Sequence, residues 1–184
     1  MNVYDFDETI YDGDSTRDFV FYLVKKYPKT LLVLPKVGIK GIRYVLKNIS
    51  KTEFKTNVYS MFKYIPNIDK ELELFVDNHM HCIKRWYIEQ QKEDDVIISA
   101  SPEFLLQPFM DKLGIRYLIA SKVNKFTGEY RGLNCYGEEK VVRFDQELNR
   151  NDIDKFYSDS YSDDPMAKLA KQAFLVKGNQ LVKW

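Results

Sequence analysis

The sequence predicts an α/β protein with a Rossmann-like three-layer core around a central parallel sheet, and an α-helical bundle inserted as a cap. Three observations carry this expectation. Short apolar runs recur along the chain with helical stretches between them. One block, residues 15–91, breaks that alternation and holds helical patterns only. The 184-residue length accommodates one core domain with a substantial insert.

Taken in order, "MNVYDF" reads as a first strand ending at Asp5. The block that follows contains "STRDFVFYLVKKY", "IKGIRYVLKNI", "KTEFKTNVYSMFKYI" and "DKELELFVDNHMHCIKRWYIEQQ", each with apolar positions every three to four residues. "DVIISA" (95–100) is the continuous apolar run of a buried parallel strand. "PEFLLQPFMDKLG" reads as a helix closed by Gly114. "YLIAS" (117–121) is a third strand, and "NKFTGEYRG" (124–132) a hairpin turning near Gly128. "KFYSDS" (155–160) is a fourth strand, followed by a helix in "DDPMAKLAKQ" with Pro165 in its first turn. "AFLVKG" (173–178) is a fifth. Strand–helix–strand alternation argues for a parallel sheet covered on both faces. The expected organisation is therefore a core of residues 1–14 and 92–184 with a helical cap of residues 15–91.

Apolar residues make up 45% of the chain and aromatic residues 15%, which excludes a disordered chain. Net charge is +1, but its distribution is uneven. Between Gly13 and Lys92 stand 15 Lys and Arg against 8 Asp and Glu, net +7, leaving 13 against 19, net −6, elsewhere. Either the helix faces there are simply solvated, or a basic lid covers an acidic site for an anionic substrate. On the second reading, Arg43 of the cap faces the substrate. Cys82 and Cys135 make no disulfide framework, which favours a reducing compartment. Asp5 and Asp7 interrupt any signal-peptide core. "TLLVLPKVGI", the greasiest run, falls short of the roughly 20 apolar residues of a spanning helix. A cytoplasmic protein without stable membrane insertion is expected, with a peripheral membrane contact by this run as the alternative. His79 and His81 in "HMHC" lack the i, i+4 spacing of zinc helices and are expected to pack. The aromatics within the basic block follow helix-core spacing, so no nucleic-acid partner is expected.

The carboxylates carry the chemistry. Ligands bind at strand ends in open parallel sheets. The first strand ends in Asp5-Phe6-Asp7-Glu8-Thr9, the fourth in Ser158-Asp159, with Asp163 and Asp164 just beyond. If strands one and four are neighbours, at least three carboxylates converge. Such a cluster needs a cation, and an all-oxygen set favours Mg²⁺. A strand-end Asp can act as a covalent nucleophile toward a phosphoryl group, and a second carboxylate nearby can serve as acid and base.

Asp5, Asp7 and Thr9 form an Asp-x-Asp-x-Thr signature. Ser99 closes the next core strand in "IISASPEF", Lys140 begins a helix in "CYGEEKVV", and "YSDSYSDDP" is an acidic cluster after another strand. In this order the four motifs resemble those of haloacid dehalogenase superfamily phosphatases, in the group similar to phosphoserine phosphatase. The resemblance spans essentially the whole chain, including the place of a cap. It implies that Asp5 takes the phosphoryl group and Asp7 is the acid/base. It implies Mg²⁺ held by the Asp5 carboxylate, the Asp7 carbonyl and Asp159, with Asp163 orienting metal-bound water or ligating; Asp164 is its rival. Ser99 and the Ala100 amide would bind phosphoryl oxygens, and Lys140 would neutralise charge. Glu8 stands where Gly or Ser is more usual. Asp14 stands where phosphoserine phosphatases have a Glu that grips the substrate. The implied activity is Mg²⁺-dependent hydrolysis of a small phosphorylated metabolite. A phosphotransferase with the same intermediate and a non-catalytic module keeping the fold are the alternatives.

Overall fold

The computed structural model describes residues 1–184. Its sheet has six strands in the order β3-β2-β1-β4-β5-β6. These are β1 (Asn2–Tyr4), β2 (Val96–Pro102), β3 (Tyr117–Ser121), β4 (Lys155–Ser158), β5 (Gln172–Lys177) and β6 (Gln180–Lys183). β1 to β5 pair in parallel; β6 runs antiparallel to β5. β1 sits at the centre with β2 on one side and β4 on the other, so strand order reverses there. That reversal opens a crevice beyond the carboxyl ends of these strands.

The helices are α1 (Ser15–Lys26), α2 (Leu34–Val45), α3 (Lys51–Tyr59), α4 (Ile68–His79), α5 (Arg85–Ile88), α6 (Glu103–Leu113), α7 (Glu138–Glu147) and α8 (Asp164–Ala167). Alternation along each strand divides the core into two layers. Tyr4, Ile97 and Tyr157 face a cluster shared with Phe19, Phe75 and Phe109. Val3, Ile98 and Phe156 face a second one with Phe144 and Met166. The sheet is thus covered on both faces, as the alternation predicts.

The inserted helices do not stand apart from the core. Phe75 of α4 meets Phe109 of α6 edge to face, and Phe62 meets Phe104 the same way. Within the insertion, buried Glu71 of α4 accepts hydrogen bonds from Tyr22, Lys26 and Tyr27, tying α4 to α1. Gly128 (φ +76) lies so close to Tyr59 that a Cβ would stand 2.3 Å from its backbone, so that turn seats directly on α3.

Three local expectations change. The helical pattern over 69–91 is broken after His79 by a 3₁₀ turn and extended residues Ile83-Lys84. The cause is pairing between the two connections to the insertion: Lys84 N–H donates to the Ile10 carbonyl and Asp12 N–H to that of Cys82, both at 2.8 Å. Beyond this point Trp86 and Tyr87 pack on Tyr4 of β1, so residues 85–91 lie with the sheet. The hairpin over 124–132 is a tight turn with a single bridge, Val123 to Tyr130, because Asn124 Oδ1 captures the Phe126 and Thr127 amides. β6 was not expected; Gly178 (φ +61) opens the two-residue loop that folds it back. His79 stacks on Phe75, in keeping with a packing role. No helix is long and apolar enough to cross a membrane.

Candidate active site

A cavity of about 390 Å³ opens where β1, β2 and β4 end, with an almost wholly polar lining. Asp5, Asp7, Ser99, Ala100, Lys140, Asp159 and Asp163 all line it, as does Asp14. Each gets there by a local device. The Asp5 amide continues the β1–β4 ladder, donating to the Tyr157 carbonyl at 2.9 Å. The chain then turns through Glu8 at φ +56, a left-handed conformation that glycine adopts without cost. Lys84 Nζ holds that turn through the Glu8 carbonyl at 2.6 Å. Thr9 Oγ1 accepts the Asp159 amide at 2.9 Å, locking the β1 and β4 loops together.

At the centre is a buried chain of charges. Lys140 is 1% exposed; its Nζ lies 2.6 Å from Asp163 Oδ2 and 3.1 Å from Asp5 Oδ1. Ser158 Oγ donates to the same Asp163 oxygen at 2.8 Å. Burial pulls the lysine toward neutrality, but Asp5 and Asp163 more than reverse this and hold it charged. Burial pushes Asp5 well above the usual carboxylate range; Lys140 opposes that, while Asp163, Asp7 and Asp159 add to it. Asp159 is also raised, first by burial.

Asp7 is gripped from two sides. Ser15 N–H, at the start of α1, donates to Oδ1 at 2.7 Å, and Ser101 Oγ donates to Oδ2. Ser101 is linked in turn to Thr16 at 2.8 Å. Burial pushes the Asp7 carboxyl up to about 6, with Asp14 raising it further and the Ser101 and Ser15 bonds opposing. Asp14 caps α1 by accepting the Arg17 amide at 2.8 Å. β2 shifts register between Ser99 and Pro102, a bulge that bends the strand where Ala100 meets the cavity. Ser99 Oγ accepts the Ser101 amide at 3.1 Å.

Placement distinguishes Asp163 from Asp164. Asp163 is buried in the site, whereas Asp164 faces outward, paired with Lys168 at 2.5 Å and with Trp184 Nε1 at 3.2 Å. The expected convergence of three carboxylates on one point is looser than the sequence implied. No three Asp, Glu, His or Cys make a ready-made metal cage, because Lys140 stands between Asp5 and Asp163. A Mg²⁺ ion does not require one, since it takes one or two carboxylates and keeps water. Two observations fit a cation here. Asp163 Oδ1 is buried with no hydrogen-bond partner. Four carboxylates, Asp5, Asp7, Asp159 and Asp163, line the cavity around the one buried ammonium of Lys140.

The insertion also reaches the cavity, by residues that sequence reasoning did not single out. Arg17, Lys51 and Lys55 line it, while Arg43 does not and lies exposed on α2. Lys55 Nζ donates to the Ala100 carbonyl at 3.3 Å, and burial, then Lys51, push its ammonium below the usual lysine range. Ser101 and Thr16 were likewise missed. The only signal for Ser101 was its place two residues after Ser99, on the strand that enters the site.

A mostly parallel sheet with acidic strand ends around a buried lysine defines a carboxylate-and-lysine site at the point where an α/β sheet reverses its strand order. The chain belongs to the haloacid dehalogenase-like hydrolases, whose family model matches residues 3–168. No curated protein matches the chain in sequence. Among solved structures, a protein of unknown function from Bordetella pertussis Tohama I is 18% identical, with TM-score 0.76 over 95% of this chain and 88% of that one. A phosphoserine phosphohydrolase-like protein from Francisella tularensis subsp. tularensis SCHU S4 is also 18% identical, with TM-score 0.56 over 95% and 87%. A phosphoserine phosphatase bearing an analogue of its phospho-aspartyl intermediate is 19% identical, with TM-score 0.54 over 94% and 84%. At these identities the likeness is one of fold.

Proposed function

We propose that the protein is a Mg²⁺-dependent phosphomonoesterase that hydrolyses a small phosphorylated metabolite through a phospho-aspartyl intermediate on Asp5. One observation carries the reading: Asp5 ends the central strand at the cavity, 3.1 Å from buried Lys140, with Asp7 two residues on in the same cavity. Asp5, Asp159, Asp163 and the Asp7 carbonyl would hold Mg²⁺, which would supply the positive charge that keeps Asp5 ionised and offsets that of the substrate.

The chain's own residues do the rest. Asp5 attacks phosphorus, and the bond to the leaving oxygen breaks as the new bond forms. Lys140 compensates charge on Asp5 and on the transferring group without entering solvent. Ser99 and the Ala100 amide receive phosphoryl oxygens beside the β2 bulge. Asp7, raised by burial, donates its proton to the leaving oxygen and later takes one from the water that attacks phosphorus, as the bond from Asp5 oxygen to phosphorus breaks and phosphate leaves. The hydrogen-bond chain from Thr16 through Ser101 fixes its carboxyl while it does so. Asp14, Arg17, Lys51 and Lys55 face the remainder of the substrate, which favours a further anionic or polar group there. The inserted helices act as the cap that selects the substrate.

The test is hydrolysis of an aryl phosphate. Turnover is expected with Mg²⁺, to disappear on chelation and to return when Mg²⁺ is restored. Metal-independent turnover, or none with any phosphomonoester, would overturn the reading.

A further inference from the structure

The helix α2 buries no residue completely. Leu34, Gly38, Ile42 and Val45 step by four, four and three, so they lie along one stripe, which Ile39 and Leu46 widen. Val45 is 78% exposed and Ile42 65%, and Leu32 in the 3₁₀ turn before α2 is 67% exposed. A Cβ on Gly38 would meet nothing within 4 Å, so the middle of the stripe is open. The helix is not loose: Tyr44 stacks on Phe54 of α3 at 5.3 Å, and Gly41 also faces Phe54. The stripe is the side left over once that contact is made.

Beside it runs a basic row, Lys36, Lys40 and Arg43, spaced four and three, with Lys47 just past the end of the helix. Lys40 is paired with Glu53 at 2.7 Å, and none of the other three is in an ion pair. No acidic residue occurs between Asp18 and Glu53. An apolar stripe flanked by uncompensated cations on a helix too short to cross a bilayer is the pattern of a helix that lies in a membrane interface.

We propose that the exposed face of α2, with the 3₁₀ turn before it, docks the protein on an anionic lipid bilayer. Charge selects this occupant. A second copy packed two-fold on the same face would set the basic row against its own equivalent, whereas anionic headgroups neutralise it. A bilayer also takes up a protruding helix without a matching groove. It is the other side of α2 that adjoins the active site: a cavity of about 430 Å³ is lined by Tyr44, which stacks on α3, and shares Lys51 and Tyr136 with the active-site cavity. The proposal rests on α2 alone and stands whether or not the phosphatase reading holds.

The test is cosedimentation of the full chain with vesicles of phosphatidylcholine alone or mixed equally with phosphatidylserine. Binding is expected to the mixed vesicles, weakened by salt and absent from the neutral ones. Ile42→Asp with Val45→Asp should weaken it about tenfold or more, and Lys36→Glu with Arg43→Glu should do the same through charge alone. Thermal melting of each double variant reports that it is folded. No binding to phosphatidylserine vesicles, or binding unchanged in both folded variants, would overturn the proposal. So would light scattering that shows a dimer lost in the apolar-stripe variant, with no vesicle binding; that result assigns the face to a second copy.

Discussion

Two regions of the molecule hold side chains in surroundings that such residues ordinarily avoid, and they do so differently. Beyond the strand ends, Asp5, Lys140 and Asp163 are ionisable groups withdrawn from water. On α2, Ile42, Val45 and Leu46 are apolar and exposed to it. These groups are joined through Lys140, which lies within about hydrogen-bonding distance of both carboxylates, so removing one strands another. The apolar stripe has no partner in the chain, so removing a member leaves nothing unsatisfied. The first region is therefore coupled to folding and chemistry together. The second is separable from both.

The largest effect should come from the charges. Asp5→Asn is expected to leave the fold intact and to reduce turnover on the order of 10³-fold or more, because the nucleophile is gone while the shape remains. Melting temperature and aryl phosphate kinetics measured side by side check both halves. Next, Lys140→Met should destabilise the protein on the order of 3 kcal/mol, since Asp163 and Asp5 lose their buried partner. Denaturant unfolding measures it, and a change below about 0.5 kcal/mol would mean the lysine is not a structural partner.

A buried charge without such a partner sharpens the contrast. Asp95, at the opposite end of β2, accepts the Lys92 amide at 2.8 Å, but its other oxygen is unpartnered, and burial pushes its carboxyl up to about 6. Its folded-state value lies above the unfolded one, so the native state binds the extra proton between about pH 4 and 6. Stability from this group is full below that window and lost as pH rises through it. Asp95→Asn should flatten this decline and stabilise the protein at neutral pH by on the order of 1–3 kcal/mol. Unfolding free energies at several pH values give the answer. The smallest effect belongs to α2: Ile42→Asp with Val45→Asp should change stability by no more than about 0.5 kcal/mol per site, and hydrolysis of a soluble aryl phosphate not at all.

The same contrast governs what the sequence makes legible. The apolar runs of β1 to β5 are buried, so composition alone finds them within a few residues. β6, "QLVK", is exposed along its length and carries no such signal. The break at 80–84 escapes because "HMHCIKRW" keeps helical spacing; backbone pairing with residues 10–12 decides it. Asp5, Asp7, Ser99, Lys140, Asp159 and Asp163 are legible because each sits at the end of a core element, and the sheet brings those ends to one cavity. Lys55, Arg17 and Thr16 are not, because their approach depends on how α1 and α3 pack over the sheet. A charge count registers Arg43 and Lys55 alike and is blind to which of them faces inward.

The central claim is covalent chemistry on Asp5, and trapping the intermediate tests it most directly. Enzyme mixed with a substrate labelled in its phosphoryl group and Mg²⁺, then quenched in acid within one turnover, should carry the label. The label should be released by hydroxylamine, as an acyl phosphate is, and peptide mapping should place it on Asp5. Label on any other residue, or burst-free turnover with no labelled enzyme at any quench time under conditions where chemistry outpaces dephosphorylation, would contradict the account.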